Sequence, residues 1–246
     1  MRLTILGSGT CVPSLKRSSP ANFLKISDKN ILVDCGPGTL LQLLKAKLNY
    51  KEIDFVFLTH FHADHIGELR SFIQALNWTP GFNRKKDLIL VAPIGFKKLY
   101  KQAIDAQPRP NTYQIKIKEI KRRLTFTNFK VECVKTIHSD ESVAYKFIEK
   151  TKSIIITGDC DINDNLIKFS KNSNLLLIEC SFADKLKMEG HLTPSECGKI
   201  AKMANVKKLI LTHLYPPSSS DVAKLKTTKK IFKNTLLAED LLRINI

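Results

Sequence analysis

Apolar residues fall in this chain as short, nearly unbroken runs that end at polar clusters, the pattern of buried strands with their chemistry at the strand ends. Such runs lie at residues 2–6, 22–26, 31–34, 55–59, 88–92, 175–180 and 208–212. Residues 113–120, 129–137 and 143–148 instead mix polar and apolar side chains with the period of half-buried strands, and 153–157 adds a further strand. Helices are predicted between them. One follows Gly36-Pro37-Gly38 with Leu40, Leu41, Leu43 and Leu44 as its apolar face, and another covers 68–76. A third runs from Pro93 through Ala106, and a fourth starts at Thr193-Pro194-Ser195-Glu196. Gln107-Pro108-Arg109-Pro110-Asn111 reads as a break, and the Ser-Pro cluster at 216–220 as a loop. The pattern predicts an α/β protein with two packed sheets, outer helices and active groups on loops along one edge. No repeat, low-complexity tract or linker divides the chain, so residues 1–246 are expected to form one domain.

Composition narrows the setting. No apolar run approaches the roughly 20 residues that span a bilayer, and the N-terminal stretch reaches Gly7 too soon for a signal-peptide core. A cytoplasmic protein is expected. Its six cysteines, Cys11, Cys35, Cys133, Cys160, Cys180 and Cys197, form no C-x-x-C pair and read as reduced thiols, mostly packing residues. The net charge of +17 favours anionic partners such as nucleotides or nucleic acid. A lysine surface that merely solvates the fold gives the same charge. Arg84-Lys85-Lys86, Lys97-Lys98, Lys101 and residues 116–123 are candidates for a basic rim.

The chemistry concentrates in Leu58-Thr59-His60-Phe61-His62-Ala63-Asp64-His65, three imidazoles and a carboxylate directly after a buried strand. These are donors that zinc, manganese and iron accept. In extended chain His60 and His62 point the same way, and Asp64 and His65 follow at the corner into a helix, positioned to turn toward a second ion. The remaining histidines, His138, His191 and His213, each sit at or near a strand end, as does Asp159 in Thr157-Gly158-Asp159.

The order H-x-H-x-D-H, a distant His, Gly-Asp and a late His resembles the metallo-β-lactamase superfamily. Residues 6–14 and 31–39, Gly190-His191-Leu192-Thr193 and residues 209–213 resemble its ribonuclease Z-like branch. The resemblance implies a four-layer αββα sandwich and a metal-dependent phosphodiesterase. Two divalent cations are implied, zinc foremost with manganese or iron as alternatives. His60, His62 and His138 would hold one ion and Asp64, His65 and His213 the other. Asp159 would bridge them, with Asp34 orienting ligands from behind. Asp64 would also take up a proton, and His191, paired with Glu179, would donate one. A homodimer is implied; the helix over 40–48 is expected to face the core first and to offer a contact surface only second. Ribonuclease Z proper carries a transfer-RNA-gripping arm between the motifs matched by His138 and Asp159. Here only about 20 residues lie there, and they read as a strand pair. Armless relatives acting on small cyclic phosphates, including phage enzymes that degrade cyclic nucleotides, are the nearer comparison. A nucleotide or RNA is the expected partner, with a small or cyclic nucleotide ahead of transfer-RNA 3′ processing. A glyoxalase- or lactonase-like ester hydrolase and a non-catalytic binding member are the alternatives.

Overall fold

The structure is a computed structural model that describes residues 1–105, 112–216 and 220–246. The break at 107–111, the last residue of the third expected helix and most of the 216–220 loop lie outside the described residues. In the first half, β1 (Arg2–Gly7), β2 (Ala21–Ile26) and β3 (Lys29–Val33) lead to α1 (Thr39–Lys45), β4 (Phe55–Phe57), α2 (Ala63–Ile66) and α3 (Leu69–Trp78). Then come β5 (Leu88–Ala92), α4 (Phe96–Leu99) and β6 (Ile115–Glu119). The second half runs β7 (Arg123–Thr125), β8 (Lys130–Lys135), β9 (Val143–Glu149), β10 (Lys152–Ile156), α5 (Asp164–Ser170) and β11 (Leu175–Glu179). It closes with α6 (Pro194–Met203), β12 (Leu209–Thr212), α7 (Asp221–Ile231), β13 (Thr235–Leu237) and β14 (Arg243–Asn245).

The strands form two seven-stranded sheets, β14-β1-β2-β3-β4-β5-β6 and β13-β12-β11-β10-β9-β8-β7. In each, four strands from the middle to one edge run parallel: β3 to β6 in the first and β10 to β13 in the second. Parallel strands are covered on both faces, which explains why Leu175–Glu179 is apolar without alternation until its last residue. Ile5, Val33, Phe57, Tyr145, Phe147, Ile154, Leu177 and Ile210 fill the space between the sheets. The Phe57 ring meets Tyr145 and Phe147 edge-on, at centroid distances of 5.3 and 5.1 Å. Leu43, Phe72 and Leu76 cover the outer face of the first sheet, and Leu166, Ile200 and Ala201 that of the second. The result is the αββα order of layers.

Local departures from the expected elements have local causes. Pro93 does not start α4. Gly95 adopts φ 101°, a left-handed turn that delays the helix to Phe96. The chain then continues as a π-helical turn, Tyr100–Ile104. On α1 only Leu43 of the four leucines is fully buried, while Leu41 and Leu44, one turn apart, face outward. The start of α6 follows its signal: Thr193 and Glu196 form a reciprocal capping box, with Pro194 in the first turn.

Candidate metal centre

The sheet register places the candidate residues on one edge. Asp34 follows β3, the His60–His65 loop follows β4, Asp159 follows β10, Glu179 ends β11 and His213 follows β12. Ligand groups gather at the carboxyl ends of parallel strands because each connecting loop emerges there. His138 joins them from the end of β8. Asp34, Gly158 and His213 have φ of 62°, 59° and 55°, left-handed turns that swing the chain sharply at the strand ends. Gly158 has a second constraint: a Cβ there would lie 2.6 Å from the Thr59 side chain. Two contacts brace the His60 loop across the sandwich. Val143 N–H donates to Thr59 O at 3.0 Å and the Tyr145 hydroxyl to Leu58 O at 2.8 Å.

All seven candidate ligands converge, in two sets. His62 Nδ1 lies 3.1 Å from His138 Nε2, and Asp159 Oδ2 lies 3.6 Å from His138 Nε2 and 3.9 Å from His60 Nε2. On the other side Asp64 Oδ2 lies 3.4 Å from His213 Nε2 and 3.7 Å from His65 Nε2. Asp159 Oδ1 is 3.2 Å from His65 Nε2 and 3.3 Å from His213 Nε2. Asp159 therefore offers one oxygen to each set. His60, His65, Asp159 and His213 are buried, while His62 is exposed and opens the first set to solvent.

The polar atoms themselves test whether cations fit here. His60 Nε2, His65 Nε2 and Asp159 Oδ1 are buried without a hydrogen-bond partner. Such atoms ordinarily cost about 1–3 kcal/mol each, yet all three belong to these two sets. Divalent cations would satisfy them together, and imidazole with carboxylate is a donor set suited to zinc, manganese or iron. Burial, reinforced by the neighbouring His65, drives His60 far below the usual histidine range, so it is neutral. Burial opposes the Asp159 carboxylate, but His213 and His65 outweigh it and keep it ionised.

The second nitrogen of each buried or half-buried ligand histidine is held in a way that sets its tautomer. Asp34 Oδ2 accepts from His65 Nδ1 at 2.8 Å. Thr59 Oγ1 gives its hydrogen to the Asp34 carboxylate, 3.0 Å away, and so accepts from His60 Nδ1 at 3.1 Å. Gly190 O accepts from His138 Nδ1 at 3.1 Å. Ser181 Oγ donates to Glu179 Oε2 at 2.5 Å and therefore accepts from His213 Nδ1 at 3.0 Å. In the neutral form of each ring Nδ1 then carries the hydrogen, and Nε2 offers its lone pair to the centre. Asp34 serves two ligands at once, through His65 and Thr59. Asp34→Ala is expected to weaken metal binding about 10- to 100-fold, measured by chelator competition; unchanged affinity would remove Asp34 from the centre.

His191 stands beside both sets, its ring 4.8 Å from His138 and 5.9 Å from His213. Its Nδ1 donates to Glu179 Oε1 at 2.9 Å, the expected pair. Glu179 also accepts from the backbone N–H of Cys160 and Leu192, so its carboxylate cannot swing away. Burial disfavours the His191 imidazolium, but Glu179, with Asp159 and Asp161, holds His191 above its ordinary pKa. The turn that carries it is fastened from below. Lys187 Nζ donates to the His191 carbonyl, Asp161 and Glu196, and Asp161 accepts from Gly190 N–H. Sequence pattern did not point to Thr59, Ser181, Asp161 or Lys187. Their roles show only in the assembled contacts, although Thr59, Asp161 and Ser181 each lie within two residues of a candidate.

The basic rim differs from expectation. Arg84 is buried and donates to the carbonyls of Lys51, Ile53 and Asp87, so it braces a turn. Lys86 pairs with Asp54 and Lys116 with Asp87. Lys121 and Lys135 do face a cleft of about 800 Å³ that begins beside Phe61 and Pro93, but Asp140 and Glu141 line it with them and balance their charge. Trp78 is exposed and Tyr100 is core. All six cysteines are free, and five are buried. No described helix is long and apolar enough to cross a membrane.

Two facing mixed sheets with a histidine–carboxylate centre on one edge define a ribonuclease Z-like, metal-dependent hydrolase of the metallo-β-lactamase superfamily. Within that class the chain belongs to the family described as anti-Pycsar protein Apyc1, whose profile matches residues 1–235. Ribonuclease Z of Archaeoglobus fulgidus is 27% identical over 303 aligned positions that take in 100% of this chain and 97% of the relative. The chain has 246 residues, so the archaeal protein carries segments that this one lacks. The human short-form tRNase Z, ELAC1, superposes with a TM-score of 0.85 at 25% identity, covering 100% of this chain and 99% of that one. The metallo-β-lactamase-fold protein YhfI from Bacillus subtilis gives 0.87 at 23% identity, covering 99% of each chain, a likeness of fold.

Proposed function

We propose that this hydrolase cleaves the phosphodiester of a small nucleotide, a cyclic one ahead of transfer RNA. The observation that carries the reading is the path between His138 and Asp159. The chain there is taken up by β9 and β10, which pair antiparallel in the middle of the second sheet. Both are core strands, so no substrate-gripping arm projects from this segment. The net charge of +17 suits an anionic substrate.

His60, His62, His138 and Asp159 would hold one divalent cation, and Asp64, His65, His213 and Asp159 the second; zinc is the proposed ion. When bound, such a pair supplies Lewis acidity toward phosphate oxygens and acidifies a water at neutral pH. The protein's own groups then set direction and proton traffic. Asp64, at the corner into α2, is placed to take up a proton from the attacking water. His191, fixed through Nδ1 by Glu179, presents its other nitrogen to protonate the leaving oxygen.

Metal-loaded enzyme is expected to show a higher kcat/KM on a cyclic mononucleotide than on a precursor transfer RNA with a 3′ trailer. Faster trimming of the precursor would reverse the preference. Turnover confined to a thioester or lactone would replace the phosphodiester reading altogether. We also propose a cytoplasmic homodimer, supported by the free thiols and by the outward Leu41 and Leu44 of α1.

A further inference from the structure

We infer that Phe182 and Tyr215 form a stacking platform for the nucleobase of the substrate. The inference rests on the nucleotide reading above and concerns what selects the substrate. The first observation is where the aromatic residues go. Of the 13 phenylalanines and 5 tyrosines, all but Phe182 and Tyr215 belong to one of the three apolar clusters of the fold. These two pack instead against each other, centroids 4.8 Å apart and planes 22° from parallel.

The second observation is their position. Phe182 lies 5.6 Å from the His191 ring, and Tyr215 lies 5.6 Å from His213 and 6.2 Å from His191. Both residues are half-buried, so part of each remains accessible. They come from separate strand ends: Phe182 follows β11 beyond Glu179 and Ser181, and Tyr215 follows β12 two residues after His213. Two loops thus converge to place a stacked aromatic pair against the proton donor, without contributing to the interior. Tyr215 is also tethered, its hydroxyl 3.3 Å from Cys11 Sγ.

The chemistry fits a nucleoside. A phosphate held at the metal centre leaves its sugar and base to lie over the adjoining surface, and here that surface is aromatic. Stacking accepts any base because every base has a π-face. The platform therefore discriminates nucleotides from other phosphodiesters and discriminates little among the bases.

Calorimetric titration of the metal-loaded enzyme with adenosine 5′-monophosphate, uridine 5′-monophosphate and ribose 5-phosphate isolates the contribution of the base, since phosphate and sugar are common to all three. Both nucleotides are expected to bind about tenfold to a hundredfold more tightly than ribose 5-phosphate. Phe182→Leu and Tyr215→Leu should each erode that ratio, whereas Tyr215→Phe should keep it because stacking needs the ring and not the hydroxyl. Melting followed by circular dichroism identifies folded variants, and Tyr215→Leu suffices if Phe182→Leu does not fold. Equal affinity for nucleotide and ribose 5-phosphate in the wild type overturns the platform, as does an undiminished ratio in a folded leucine variant. The substrate reading itself fails separately, through the comparison of cyclic nucleotide with precursor transfer RNA.

Discussion

Asp159→Ala is expected to lower turnover of bis(p-nitrophenyl) phosphate more than about 10³-fold, a loss beyond that of one preorganised electrostatic contact. Metal content should fall from about two ions per chain to one or fewer. The size of the effect follows from geometry. Asp159 sends Oδ2 toward His60 and His138 and Oδ1 toward His65 and His213, so one truncation takes a donor from both sets. It would also remove the negative charge that offsets the mutual repulsion of two bound cations. The side chain sits at a strand end and not among the packed apolar residues, so the fold should survive. Elemental analysis of the folded variant, with parallel kinetics, checks both parts. A variant that keeps two ions and near-wild-type turnover would show that Asp159 does not bridge.

His191→Ala should act differently. Its kcat on a cyclic nucleotide is expected to fall about 10²- to 10⁴-fold, the range for a lost general acid, with metal content unchanged. The separation is possible because His191 spends Nδ1 on Glu179 and is not needed to complete either set of donors. The leaving group provides an internal control. A ribose alkoxide needs a proton as the bond breaks, whereas p-nitrophenolate departs readily without one. The loss should therefore be much smaller on bis(p-nitrophenyl) phosphate. Equal losses on the two substrates would mean that His191 positions the phosphate and does not protonate the leaving oxygen.

The parts of this centre that could be read from sequence are those written by local periodicity. His60, His62, Asp64 and His65 stand together because a strand gives way to a helical corner within six residues, and period two aligns the first pair. Asp159 was weaker as a local signal, since Gly-Asp is a common turn. It acquired meaning only beside the cluster and the family resemblance. Ser181 and Thr59 were not legible, because a hydroxyl that fixes a tautomer looks like any other strand-end hydroxyl until its partner is in place. Lys187 looked like one more surface lysine, yet it binds the carbonyl of His191.

The fold shows the same division. Long buried strands such as β5 and β11 stood out as apolar runs. By contrast, β7, β13 and β14 have three residues each, too few to show a period. β13 and β14 depend on partners far along the chain, as β14 does on β1, while β7 is the short arm of a hairpin with β8. Helix α7 shows no apolar stripe in the sequence because it is largely polar along its length, and its buried Lys224 donates to the carbonyls of Cys180 and Ser181. On α1, four leucines looked like one apolar face, but their angular spacing turns Leu41 and Leu44 outward.

Anomalous X-ray diffraction from crystals grown with zinc addresses the central claim most directly. Two peaks about 3.5–4 Å apart are expected, one among His60, His62 and His138 and the other among Asp64, His65 and His213, with the Asp159 carboxylate between them. A single peak, or peaks held by other residues while these side chains remain unligated, would contradict it.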